Sequence, residues 1–292
     1  MSDQQLLPDM EHSDKDRVMR MDLETRVMRA LSLLRDNEPE DGYYVAFSGG
    51  KDSCVIKELV RMSGVKHECW YNQTTIDPPE LVRFIKGHHA DVKWNIPKYG
   101  NMMHRVSMRN NGPPTRLSRW CCEEYKEGGG GRYRIKVFGV RASESRGRAL
   151  RWRETSMDGD GGKAVCPIVY WTDSQVWEFL KHYQVPYCSL YDEGWDRLGC
   201  VGCPLAGPDR QTKEFERWPA FERNWKRAIE KNWETYKDKP RKDGKPRYHA
   251  KFKSAEDFWN WWRWEKKPDD PFRQDCQSGL LWTNDPSDEN EP

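Results

Sequence analysis

No apolar run in these 292 residues approaches the ~20 needed for a membrane-crossing helix, so no membrane partner is expected. The opening Met1-Ser2-Asp3-Gln4-Gln5 lacks the basic-then-apolar order of a secretory leader, and a cytoplasmic, reducing location follows as the expectation. Apolar residues are scarce at 36%, with a mean hydropathy of −1.03; the core is lean, and 15 Trp partly offset this because each ring buries a large area. Charge of one sign is also lacking. With 49 Lys and Arg against 47 Asp and Glu, the net charge is only +2, so overall charge does not argue for nucleic acid. There is no internal repeat. The nine cysteines, in a reducing compartment, are better read as metal ligands or reactive thiols than as disulfides.

What is present begins with Ser48-Gly49-Gly50-Lys51-Asp52-Ser53, directly after the apolar run Tyr43-Tyr44-Val45-Ala46-Phe47. Glycines let the backbone turn sharply and aim several N–H groups at one spot. The helix expected from Asp52 to Met62 adds the partial positive charge of its N-terminus. The two serines and Lys51 supply further donors, so the stretch reads as a phosphate cradle. It is not a Walker A loop, which needs four residues between its first glycine and the Gly-Lys pair.

Strands and helices alternate from Tyr43 onward. Strands are predicted at Tyr43–Phe47, His67–Tyr71, Asp91–Ile96 and Tyr133–Val140, with a helix at Pro79–His88. This order implies an α/β fold with a doubly wound, mostly parallel sheet, in which ligands sit beyond the carboxyl ends of the strands. A helix is expected from Lys15 to Leu34 after a frayed start. Thr172 reads as an N-cap with Gln175 as its box partner, opening a helix to Tyr183. Gly128-Gly129-Gly130-Gly131 reads as a connector, and Asp158–Gly162 as a mobile loop. Beyond Pro208 the strands stop, and Trp-rich helices are expected near Phe215–Tyr236 and Ala255–Trp264. The organisation is thus an N-terminal helical segment over 1–40, a nucleotide-binding domain over 41–207, a helical, Trp-rich basic region over 208–284 and a disordered acidic tail over 285–292.

Cys121 and Cys122 are adjacent, and Cys200 and Cys203 form a Cys-x-x-Cys turn. Four sulfurs suffice for a cubane iron–sulfur cluster or a Zn²⁺ site. A vicinal pair suits the cluster better, because zinc sites usually draw each pair from a spaced knuckle. Cys54, Cys69, Cys166 and Cys188 read as core residues. The dyad His88-His89 reads as a solvated helix end. Trp218, Trp225 and Trp233 fall near helical spacing, which favours core packing over base stacking.

The cradle resembles the pyrophosphate loop of the adenine nucleotide alpha-hydrolase superfamily. Gly139-Val140-Arg141-Ala142-Ser143-Glu144-Ser145-Arg146, Pro167–Trp177 and Pro186–Gly194, running into Arg197-Leu198-Gly199-Cys200, are similar to motifs of its phosphoadenosine phosphosulfate (PAPS) reductase family. The resemblance covers about Tyr43 to Pro204. It implies that Ser48, Gly49, Gly50, Lys51, Asp52 and Ser53 hold the outer phosphates of ATP, with Mg²⁺ beside Asp52. Lys51 would offset charge on departing pyrophosphate. Gly139, Arg141 and Arg146 would line a second anion subsite, with Glu144 orienting an arginine.

The intact loop favours ATP over an already cleaved sulfonucleotide, although either stays open as ligand. The family's Glu-Cys-Gly-(Ile/Leu)-His motif is poorly matched by Asp275-Cys276-Gln277-Ser278-Gly279-Leu280. The cysteine spacing is similar to that of adenylylsulfate reductases and of ATP-using relatives that place sulfur into DNA backbones or tRNA bases. The resemblance therefore implies an ATP pyrophosphatase in sulfur transfer, holding a [4Fe-4S] cluster at Cys121, Cys122, Cys200 and Cys203. Nucleic acid and a sulfur-donor protein are the implied partners. A reductase using Cys276, or a metal-stapled nucleic-acid-binding module without turnover, is the alternative.

Overall fold

A computed structural model describes residues 15–127, 134–157 and 161–263. The expected frayed start, the glycine connector, part of the Asp158–Gly162 loop, Trp264, Cys276 and the acidic tail lie outside the described residues. By their contacts, the residues fall into two units. One comprises Met1–Gln73, Asp77–Ile96 and Gly128–Gly199; the other comprises Thr74–Ile76, Pro97–Glu127 and Cys200–Pro292.

The first unit carries a six-stranded sheet. Its strands are β1 (Tyr43–Ala46), β2 (His67–Asn72), β3 (Lys93–Asn95), β4 (Lys136–Val137), β5 (Thr155–Met157) and β6 (Lys163–Val165), in the spatial order β3-β2-β1-β4-β6-β5. All neighbours are parallel except β5 and β6. Tyr43, Tyr44 and Val45 are buried, as expected of a central parallel strand covered on both faces. The chain lays β2 and β3 on one side of β1 and then crosses to place β4 on the other. The order therefore reverses between β1 and β4, and the crevice at their carboxyl ends is where such sheets take ligands.

Helices α1 (Leu23–Asp36), α2 (Lys51–Ser63), α3 (Pro79–His88), α5 (Arg146–Arg151) and α6 (Asp173–His182) belong to this unit, and α4 (Met102–Met108) to the other. α2 packs against α1 and α6. It ends at Gly64, whose φ of 76° is the left-handed C-cap conformation that glycine takes without strain. The Thr172–Gln175 capping box forms as predicted.

The expected Lys15–Leu34 helix is interrupted. Residues 15–20 are helical, and Asp22 then caps α1 by accepting from Thr25 N at 2.7 Å. The β5–β6 pair was not expected, because three-residue strands leave no period to read. β4 is also shorter than the predicted Tyr133–Val140 strand. His89 departs from its expectation too: it is buried beside Phe47 and Phe84, with Nδ1 3.1 Å from Lys57 Nζ.

The second unit is helical. Besides α4 it holds α7 (Pro208–Arg217), α8 (Pro219–Tyr236) and α9 (Ala255–Trp262). The single helix expected over Phe215–Tyr236 breaks at Trp218-Pro219, where Trp218 N closes α7 on Glu214 O at 2.8 Å. Pro219, lacking an N–H, starts α8. Trp218, Trp225, Trp233, Trp259 and Trp262 are buried, so these rings pack the core. The indoles of Trp225, Trp233 and Trp262 donate to Val201 O, His249 O and Pro114 O, satisfying the N–H groups that burial would otherwise strand.

Candidate functional sites

The turn after β1 is held by its own polar groups. Ser53 Oγ donates to Gly50 O at 2.8 Å and accepts from Ser48 N at 3.2 Å. Gly49 has φ +75°, and a Cβ there would lie 2.8 Å from Leu81 and Ile85 on α3. Only glycine meets both demands. Gly50 is the N-cap of α2 and offers no side chain to its first-turn amides, which therefore face the crevice as donors. One is engaged: Lys51 N donates to Tyr191 Oη at 2.9 Å.

Lys51 is buried. Its ammonium donates to Asp196 O at 3.1 Å and lies 3.1 Å from Asp173 Oδ1. Arg141, from the loop after β4, is buried as well. Its Nε donates to Asp52, Nη2 donates to Asp173 Oδ1 at 2.9 Å and Nη1 donates to Ser143 Oγ at 3.1 Å. A Cβ on Gly139 would meet the Asp52 backbone at 3.2 Å, so this glycine lets the β4 loop close on the start of α2. Two cations, two carboxylates and a bare helix N-terminus thus converge at the switch point. Asp52 is an oxygen donor of the kind that would hold a divalent cation.

The structure brings together Ser48, Gly49, Gly50, Lys51, Asp52, Ser53, Gly139 and Arg141. Glu144 accepts from Arg141 N and pairs with Arg148, while Arg146 is exposed at the first position of α5. Asp173 and Tyr191 are additional members. Asp173 directly follows the Thr172 cap, but capping gives no sign that its carboxylate reaches two cations from distant loops. Burial pushes the Tyr191 hydroxyl above its ordinary range.

The four cysteines lie in the second unit. Cys121 and Cys122 end the helical turn Trp120–Cys122, which runs into a π-turn at Glu123–Glu127. Glu124 in that turn takes two bonds from Arg105 on α4, at 2.8 and 2.9 Å. The Cys200–Cys203 turn closes through Cys203 N to Cys200 O at 3.3 Å, with Gly202 at φ +76°. Gly202 N donates to Glu214 at 2.7 Å, and Gln211 donates to Gly202 O at 3.0 Å.

The Cys122 thiol is drawn below its ordinary range by a hydrogen bond from Cys121, against burial, with help from Lys126 and Arg119. The Cys121 thiol is pushed up by that same bond, by burial, and by the charges of Cys122, Cys200 and Cys203. All four sulfurs therefore share one electrostatic neighbourhood. Among the described residues, no three His, Cys, Asp or Glu side chains gather as ligands of a single ion. Trp120 Nε1 and Tyr125 Oη are buried without a hydrogen-bond partner. Two orphan donors in the stretch that carries Cys121 and Cys122 fit a sulfur-rich group, which would accept from them.

Together, the sheet order and the loops at its switch point define a doubly wound, mostly parallel α/β fold. A profile described as the phosphoadenosine phosphosulfate reductase domain matches residues 42–206, more than half of the chain, and the protein belongs to that family. An uncharacterised protein of Methanocaldococcus jannaschii is 27% identical over 199 residues, covering 63% of this chain and 41% of the relative. An adenosine 5′-phosphosulfate reductase of Staphylococcus haemolyticus is 34% identical over 59 residues, covering 20% and 24%. The chain thus spans less than half the length of these relatives. Among solved structures, a PAPS reductase of Candida auris in complex with phosphate aligns with a TM-score of 0.47 and 16% identity, over 59% of this chain and 87% of that one. A U34-tRNA thiolase of Methanococcus maripaludis with its [4Fe-4S] cluster aligns with a TM-score of 0.36 and 11% identity, over 70% and 76%.

Proposed function

We propose that this protein is an ATP pyrophosphatase that activates a nucleic-acid substrate for sulfur transfer. The observation that carries this reading is the unaltered Ser48–Ser53 loop at the switch point, with a bare helix N-terminus, Lys51 and Arg141 around one crevice. First-turn amides and Lys51 would hold the β- and γ-phosphates, with Asp52 as an oxygen ligand for Mg²⁺ and Asp173 paired with Lys51 and Arg141. An acceptor oxygen attacks the α-phosphorus, the bond from it to the bridging oxygen breaks, and pyrophosphate leaves with the electron pair. Lys51 and Arg141 stabilise the charge that builds on it, a preorganised electrostatic role. A sulfur nucleophile then displaces AMP from the adenylated acceptor.

Cys121, Cys122, Cys200 and Cys203 would hold the iron–sulfur cluster, with Trp120 and Tyr125 donating to its sulfurs. When bound, such a cluster supplies thiophilic iron and one-electron redox capacity. Zinc is the lesser alternative at these thiols.

A second reading, sulfonucleotide reduction, is favoured by the local identity to an adenosine 5′-phosphosulfate reductase. Calorimetry of the intact, metal-loaded protein separates the two. The pyrophosphatase reading expects heat with ATP and Mg²⁺, and pyrophosphate release dependent on acceptor. Uptake of adenosine 5′-phosphosulfate with silence toward ATP overturns it in favour of the reductase.

A further inference from the structure

We infer that the outer face of α8 and the hairpin following it form a docking surface for the phosphodiester backbone of a nucleic-acid duplex. This deepens the acceptor half of the proposed function and rests on that reading for its purpose; the binding itself is tested without ATP.

α8 buries Trp225, Ala228, Ile229, Asn232 and Trp233 along one side. The opposite side presents Arg223, Arg227 and Lys231, all exposed. Four-residue spacing sets these cations ~6 Å apart along the axis. Among the described residues no carboxylate pairs with any of the three. Two carboxylates fall on the same arc: Glu230 lies 3.9 Å from Lys226 and Glu234 2.9 Å from Lys237. The stripe therefore keeps its charge, in a chain whose cations and carboxylates otherwise nearly cancel.

The charge continues past the helix end. Between 237 and 253 the chain carries eight Lys and Arg against two Asp. Pro240 and Pro246 face each other in an antiparallel bridge. Arg241 N donates to Lys245 O at 2.8 Å, and Gly244, at φ +77°, donates to Arg241 O at 2.9 Å. This tight turn holds Lys242 and Lys245 exposed. Its base is seated on α8, where the Lys239 and Arg247 cations lie 5.2 and 5.6 Å from the Tyr236 ring and Tyr236 Oη donates to Met108 O at 2.6 Å. The cations are thus presented on a braced frame.

The aromatic residues choose between kinds of polyanion. Single strands are gripped by cations together with exposed rings on which bases stack, but the tryptophans of α8 and α9 are committed to the core or its edge. A membrane surface needs an apolar face to bury, and none of the large exposed apolar side chains falls within 208–263. Cations without rings or apolar anchors suit a duplex backbone, read by charge and not by base.

The test is fluorescence anisotropy of the full chain with labelled DNA and RNA duplexes, their single strands, and vesicles of equal parts phosphatidylserine and phosphatidylcholine. Duplex binding should weaken at least roughly tenfold in Arg223→Ala/Arg227→Ala/Lys231→Ala. The slope of log affinity against log salt should fall by about 3 in that variant and by a smaller amount in Lys242→Ala/Lys245→Ala, where Asp243 lies 3.9 Å from Lys245. The proposal is overturned if duplexes do not bind, if both variants bind like the parent, or if single strands or vesicles are preferred. Duplex binding by a protein that ignores ATP supports the surface and overturns the sulfur-transfer reading alone.

Discussion

The two candidate sites are built on opposite plans. The Ser48–Ser53 turn draws its donors from six consecutive residues, and most of them are backbone amides fixed by a strand end and a helix start. The candidate thiol site draws on side chains from two stretches far apart in the chain, one braced by the bidentate Arg105–Glu124 pair and the other by the bonds of Gly202 to Glu214 and Gln211. A backbone site depends on conformation, so glycine governs it. A side-chain site depends on tertiary assembly and on the group that the side chains hold.

That contrast can be broken most sharply at the thiols. Cys200→Ser should lose all bound iron and sulfide and the visible colour on anaerobic purification, whereas Cys54→Ser, a change in the core of the other unit, should keep them. Iron and sulfide assays on both variants check this, and zinc without iron in the parent would sink the cluster assignment. Next in size is Gly49→Ala. It forces a left-handed φ on a residue with a Cβ and drives that atom into Leu81 and Ile85, costing about 3 kcal/mol. ATP affinity should fall about a hundredfold if the turn is the cradle; denaturant unfolding and calorimetry measure the two effects.

Acid sharpens the comparison, because among the described residues each unit holds one buried imidazole. Burial draws the His89 ring down to about 4 and the His249 ring down to about 3. Asn232 Nδ2 donates to Val106 O at 2.9 Å and Arg109 O at 2.7 Å, which leaves its Oδ1 to accept from His249 Nε2 at 2.8 Å. Both rings stay neutral in the folded state, while the unfolded chain takes up protons near 6.5. Stability is therefore complete above about pH 6.5 and is lost as pH falls toward 4, by about 2 kcal/mol per ring at pH 5. His249→Gln should shed its share of this loss and leave that of His89, as read by urea midpoints across pH.

The smallest effect is expected at Asp173→Asn. Its carboxylate is shared by Lys51 and Arg141, so neutralising it should free positive charge and tighten ATP–Mg²⁺ binding by less than roughly tenfold. Weaker binding in the same calorimetry would mean that Asp173 ligates the metal itself.

Much of the first unit was legible because its structure is local. Tyr43–Ala46, Pro79–His88 and the Thr172–Gln175 box carry their own signals in a buried run, a proline at a helix start and a capping pair. The break at Trp218-Pro219 was equally local, and the helical period of the flanking residues masked it. Less visible were Asp173 and Tyr191, whose roles arise only when α6 and the Ser189–Tyr191 turn meet the start of α2. The interleaving of the two units was likewise hidden, because contacts between distant stretches leave no period in the chain.

The amino-acid order by itself determined where the backbone turns, where helices begin and which cysteines come as pairs, since φ preferences, capping and spacing act within a few residues. Only the tertiary structure decided which charges neutralise Lys51 and Arg141, that Trp218, Trp225, Trp233, Trp259 and Trp262 fill a core, and that Arg223, Arg227 and Lys231 find no carboxylate partner among the described residues. Those outcomes depend on which surfaces meet and which water is expelled, and burial and charge pairing are settled between segments that the sequence keeps apart.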